Sequence, residues 1–188
     1  MSTRFLSILA LVLLALATAQ AQAGPCADTV TVFRNAGQSG HFFNKSFGYA
    51  VFPTIGRGGV DVGGARGNGC VYRQGKLVGR STMNQLTVGL QLGGQAYSQI
   101  VFLQDERAFN EFTSGNFQFG AQVQAVAITA GAGATTSTAG NSASASGGRN
   151  DAATAGEFVR GMAIFTVARG GLMYEASVGG QRFSFSPQ

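Results

Sequence analysis

The sequence predicts a mainly β fold with short helices (α+β): an antiparallel sandwich or a strongly curved, barrel-like sheet of about eight to ten short strands. Three observations predict it. Residues 50–60, Ala-Val-Phe-Pro-Thr-Ile-Gly-Arg-Gly-Gly-Val, return as Ala163-Ile164-Phe165-Thr166-Val167-Ala168-Arg169-Gly170-Gly171-Leu172, offset only by the extra Pro53. Apolar and polar residues alternate along Gln85–Leu92 and again along Phe117–Ala127, the period of a half-buried strand. Paired glycines recur between the apolar runs and supply the positive φ of tight turns. Each repeat reads as an apolar strand, a turn of arginine and two glycines, and a second strand ending at Gly63-Gly64 or Gly179-Gly180. On that reading Arg57 and Arg169 sit at hairpin tips, outside the core, where a rigid cation suits an anionic ligand.

The elements follow in order. Arg4, the apolar run Phe5–Ala17 and the small-x-small site Ala21-Gln22-Ala23 form a secretory signal, so residues 1–23 are expected to be removed. The run is too short to span a bilayer, which needs about 20 apolar residues. Residues 24–188 remain, roughly 165 residues and one domain. The expected location is the periplasm or cell envelope. Cys26 and Cys70 permit one disulfide in that oxidising compartment. The alternative, acylation of Cys26, fits poorly because Pro25 precedes it.

From Thr29 to Phe47 the apolar spacing is helical, and Gly37 and Gly40 break it into two short helices, the second capped by Ser39. From Gly48 onward the chain reads as β, with Leu86, Val88, Leu90 and Leu92 sharing one strand face and Ser98–Gln104 forming another strand. Asp105–Phe112 is a helix with acidic residues in its first turn, stopped at Ser114-Gly115. Residues 129–156 are almost all Ala, Gly, Ser, Thr and Asn, without a large apolar side chain to join a core. Strands over 158–167, 172–178 and 181–186 complete the sheet.

The chemistry of catalysis is sparse. His41 is the one histidine, between Gly40 and Phe42, and reads as a residue of a helix face. No Cys/His cluster has metal-ligand spacing, no nucleophile elbow occurs, and Gly131-Ala132-Gly133 lacks the third glycine of a nucleotide fingerprint. Neither an enzyme nor a cofactor is expected. Asp61 and Glu175 follow the two Arg-Gly-Gly turns and are read as local partners of Arg57 and Arg169. Charged residues make up only 11 % of the chain, too few for a nucleic-acid binder that relies on counterion release. Yet the charge is +5, carried almost wholly by arginine, since Lys45 and Lys76 are the only lysines. Arginine's planar fork suits phosphate, and Arg57, Arg66, Arg73, Lys76, Arg80 and Arg169 are the candidate binding residues.

Tyr49-Ala50-Val51-Phe52-Pro53, Gly58-Gly59-Val60-Asp61-Val62-Gly63-Gly64, Gly67-Asn68-Gly69, Gly89-Leu90-Gln91-Leu92-Gly93-Gly94-Gln95 and Arg169-Gly170-Gly171-Leu172 together resemble the SYLF lipid-binding domain family. That family includes bacterial exported proteins and a yeast actin-binding protein. The resemblance spans essentially all of the chain after the signal. It implies binding of anionic phospholipid through basic residues, here Arg57 and Arg169, together with an amphipathic N-terminal segment. In this chain that segment is short, glycine-broken and carries only Arg34 and Lys45. The expected function is therefore a non-enzymatic envelope protein that binds anionic phospholipid headgroups at a membrane surface. The rivals are a structural or partner-binding envelope protein and a small outer-membrane β-barrel. Against the barrel stand the lack of aromatic girdles and strands such as Cys70–Gln74 that read as too short for the roughly 9–11 residues required.

Overall fold

The computed structural model describes residues 24–60, 62–88, 95–120, 125–128, 157–169 and 180–188. The expected signal, residues 1–23, the small-residue stretch 129–156, the strand over 172–178, the glycines of 89–94, Asp61 and Glu175 lie outside the described residues.

The chain enters through helix α1 (Gly24–Asn35), with Pro25 in its first turn and Arg34 in its last, both favoured there. Its buried residues Cys26, Thr29 and Phe33 fall three and four apart and form one stripe. A single helical turn, α2 (Gly37–Gly40), and a 3₁₀ turn (His41–Asn44) follow. Ser39 is not the cap its position suggested. It lies inside α2, fully buried, and its hydroxyl donates to the Phe33 carbonyl at 2.6 Å, tying α2 back onto α1. His41 is exposed in the 3₁₀ turn.

Among the described residues eight strands then build one sheet: β1 (Gly48–Val60), β2 (Val62–Arg73), β3 (Lys76–Val88), β4 (Gln95–Leu103), β5 (Phe117–Gln118), β6 (Val126–Ile128), β7 (Met162–Arg169) and β8 (Arg182–Pro187), in the order β5-β8-β3-β2-β1-β4-β7-β6. The pairings are antiparallel except β6 with β7. The short helix α3 (Glu106–Phe112) follows β4, and the Asp105 carboxylate caps it by accepting from the Ala108 amide at 2.8 Å.

The sheet curls strongly into a half-barrel. In a flat sheet β4 and β8, four strands apart, would be separated by roughly 19 Å. Instead the Gln99 carboxamide of β4 donates to the side-chain Oε1 of Gln181, one residue before β8, at 2.8 Å. Strand alternation then gives two faces. The concave face holds Ala50, Phe52, Ile55, Val71, Met83, Val101, Ile164 and Phe183 in one core with Phe109 and Phe112 of α3. Gly69 lies over Phe52, where a Cβ would come within 2.6 Å of the ring. On the convex face, Tyr49, Val51, Ile100, Phe102 and Phe165 pack under Phe33 and Phe42. The Cys26–Cys70 disulfide binds α1 to β2 there, and a bonded Cys26 sulfur has no free thiolate to acylate.

Three expectations are corrected. β1 and β2 stay paired as far as Val60 and Val62, so Arg57, Gly58 and Gly59 are strand residues that pair with Ala65, Gly64 and Gly63. The tightest described hairpin is instead the β2–β3 turn, where Gln74 and Gly75 both have positive φ and Arg73 and Lys76 flank them. Cys70 belongs to a 12-residue strand, so β2 is not short. In β3 the apolar side is the outer one at its described end. Leu86 is 82 % exposed while Gln85 is buried, because Met83 and Gln85 sit opposite Gly67 and Ala65 on the concave side.

Candidate anion-binding surfaces

The sheet register divides the sequence-predicted cations into four groups. On the convex face, Arg182, Asn84, Arg66, Gly56, Ala96 and Arg169 stand level with one another across β8, β3, β2, β1, β4 and β7. All three arginines are exposed. Two strand spacings, about 10 Å, separate Arg182 from Arg66, and three, about 14 Å, separate Arg66 from Arg169. The residues between them are small or neutral, so nothing on the row screens the charges. Arg169 Nε donates to Ser98 Oγ at 3.1 Å and Arg182 Nε to Gln118 Oε1 at 3.0 Å. Those bonds steady the stems, and the Nη groups make no ion pair among the described residues. Thr54, Asn68, Thr82 and Ser184 form the neighbouring polar row, with Thr82 Oγ1 donating to Asn68 Oδ1 at 3.0 Å. Leu86 projects from the same face, two residues beyond Asn84.

Arg80 lies further along the convex face, level with Cys70. It lines a cleft of about 260 Å³ with Pro25, Cys26, Pro53, Thr54, Asn68 and Gly69, at the border between the helix-covered and open parts. Its charge holds down part of the rise that burial gives the Tyr72 phenol.

Arg73 and Lys76 occupy the β2–β3 hairpin at the opposite end of the sheet. Arg73 stacks over the Phe47 ring at 5.1 Å and faces Glu106 at 3.5 Å, an exposed pair of little energetic weight. They do not join the convex row.

Arg57 lies on the concave side toward the far end of β1, away from that hairpin. It shares an inner row with Ala65 and Gln85, and its Nε is buried without a hydrogen-bond partner. Beside it lies a buried polar group of Tyr97, Gln99, Gln181 and Gln85. Gln99 and Gln181 exchange carboxamide bonds at 2.8 and 3.1 Å, and Gln181 Nε2 also reaches Tyr97 Oη at 3.2 Å and Gln85 Oε1 at 3.4 Å. Burial pushes the Tyr97 phenol up to about 12, against the opposing pull of the Arg57 charge.

Arg57 and Arg169, equivalent in the sequence repeat, therefore point to opposite faces. Arg57 is level with Gln95 and Arg169 with Ala96, so the two copies stand one residue out of step. A one-residue offset reverses every side chain. Sequence reasoning missed Arg182, although Phe183 and Phe185 alternate with it and mark it as outward-facing once they are core. Its place beside Arg66 depends on the strand order, which no local pattern reveals. Among the described residues no group of three or more His, Cys, Asp or Glu could hold a metal ion, and no helix is long and apolar enough to cross a membrane.

Residues 84–187 match the family model described as "Ysc84: Las17-binding protein actin regulator", which is more than half of the chain. The chain belongs to the Ysc84 family. This is the SYLF relationship that the glycine and arginine motifs suggested. The matched part runs from the end of β3 to the last strand and so contains Arg169 and Arg182, while Arg57 and Arg66 precede it. Among curated proteins, "Beta cell expansion factor A" of Aeromonas veronii is 24 % identical over 162 residues, 84 % of this chain and 53 % of that relative. The Ysc84-family chain thus spans about half the length of that protein.

Proposed function

We propose that this chain is a non-enzymatic, exported protein of the cell envelope that binds anionic phospholipid at a membrane surface through the open part of its convex face. The observation that carries the reading is the level row of exposed Arg66, Arg169 and Arg182, flanked by uncharged residues. Near an anionic bilayer each such cation contributes about 1 kcal/mol, and cations on one face add where scattered ones do not. Leu86 beside them offers an apolar contact to the acyl boundary. Export is supported by the signal-like residues 1–23 and by the Cys26–Cys70 bond, a linkage kept in oxidising compartments. Phosphatidylglycerol and cardiolipin are the natural headgroups of such an envelope, and Arg80 and the Arg73–Lys76 hairpin add to the general field. An outer-membrane barrel fits less well. Its outer surface would be an apolar band, whereas here that face carries Thr54, Arg66, Asn68, Asn84 and Arg182.

Co-sedimentation with phosphatidylcholine vesicles, with and without phosphatidylglycerol, across a salt series tests the reading. Salt-sensitive binding to the anionic vesicles alone is expected. Arg66→Glu with Arg169→Glu and Arg182→Glu should weaken it by about 3 kcal/mol or more, over a hundred-fold. Equal binding by that variant would remove the assignment. The second reading is a protein partner, favoured by Leu86, whose large apolar side chain stands exposed. Absence of vesicle binding together with Leu86-dependent capture of one envelope protein would support it.

A further inference from the structure

The geometry points to a second, interior anion site on the concave face, where Arg57 and Tyr97 bind the phosphate oxygens of a small phosphate-bearing ligand. It does not depend on the convex surface. Arg57 lies on the concave side near the open end of β1, partly buried, and its neighbour in the inner row is the small Ala65. Ala65 therefore offers the guanidinium no side-chain partner from β2. Its Nε is buried with no hydrogen-bond partner, and among the described residues the group makes no ion pair. A buried N–H donor without a partner is costly, and native structures leave few of them unexplained.

Tyr97 supplies the second donor. It sits on β4 diagonally from Arg57, close enough for the Arg57 charge to offset part of the rise that burial gives its phenol. Its hydroxyl accepts from Gln181, and its own proton has no acceptor among the described residues. The glutamines behind it orient that proton. Gln181 Nε2 has two hydrogens and faces three acceptors, Gln99 Oε1, Gln85 Oε1 and Tyr97 Oη. The cluster is thus rich in acceptors around Gln181, and among the described residues neither the Tyr97 hydroxyl proton nor the Arg57 Nε–H is used within it. Every described carboxylate is exposed and outside this interior: Asp28, Asp105, Glu106, Glu111 and Glu157. Two donors on different strands, one of them a charged fork, match the oxygens of a phosphate group. That group could be free phosphate or a phospholipid headgroup entering the mouth of the half-barrel.

Isothermal titration of the mature chain at constant ionic strength tests this with two probes, inorganic phosphate and monomeric short-chain phosphatidylglycerol. The unaltered chain should bind at least one. Arg57→Gln should weaken that binding roughly ten-fold or more and Tyr97→Phe roughly five-fold. Arg57→Lys, which keeps the charge and loses the fork, should fall between. The convex variant Arg66→Glu/Arg182→Glu should bind the small probe as before, whatever happens to its vesicle binding. Binding of the lipid but not of phosphate would assign the headgroup as source; binding of both would assign the shared phosphate. No binding of either probe, or equal binding by a folded Arg57→Gln chain, would overturn the site. So would phosphate binding that emerges only in Asp61→Asn or Glu175→Gln, since the natural occupant would then be the chain's own carboxylate.

Discussion

The convex face has two ends built by the same strands, and they differ in almost every property. At one end Tyr49, Val51, Ile100, Phe102 and Phe165 lie beneath α1 and the 3₁₀ turn, locked by aromatic packing and the Cys26–Cys70 bond. At the other, Thr54, Gly56, Arg66, Asn84, Arg169 and Arg182 face solvent uncovered. The change occurs at Pro53, where the β1 register shifts between Val51 and Thr54 and the Pro53 carbonyl accepts from Ser98 Oγ at 2.7 Å. A strand face is thus not uniform along its length. What covers it sets its composition, and here the covered end serves stability while the open end remains available to a ligand.

That division predicts different responses at the two ends. The largest effect should come from the covered end. Cys26→Ala with Cys70→Ala should cost about 4 kcal/mol, the chain-entropy value for a loop of this length. Urea unfolding would measure it, and a loss below about 1 kcal/mol would mean that aromatic packing alone holds α1 down. The interior behind the open end should respond to pH. The Tyr97 phenol is raised from 10.0 to about 12 by burial, so the folded state keeps its proton where the unfolded state has lost it. Its contribution is fully present below pH 10 and is lost as pH rises through about 12, roughly 3 kcal/mol in all. Unfolding measured across that window should fall more steeply for the native chain than for Tyr97→Phe; parallel curves would refute the assignment. The smallest effect should come from the open end. Arg66→Gln and Arg182→Gln should each change stability by less than about 0.5 kcal/mol, while lowering anionic vesicle binding by about 1 kcal/mol. A larger stability loss would make the row structural and blur the contrast between the two ends.

Much of this was legible beforehand where the signal is local. The Asp105 cap and the helix behind it depend on neighbours in sequence, as does the strand character of 48–60 and 162–169. The pairing of Cys26 with Cys70 followed from there being two cysteines. The candidate site was less legible. Arg66 and Arg169 could be named, but their alignment with Arg182 depends on β8 pairing with β3 and β7 with β4. The glutamine cluster left no mark either, because Gln85 reads as the outer residue of an alternating strand beside Leu86.

By itself the sequence determined that the chain from Gly48 onward is mainly strand and which side chains within a strand share a face, because a period of two is a property of the local backbone. Only the tertiary structure decided which of those faces is inside. The inverted placement of Gln85 and Leu86, and of Arg57 against Arg169, follows from register and curl. Both are set by pairings between residues distant in the chain, and a shift of a single residue reverses the outcome.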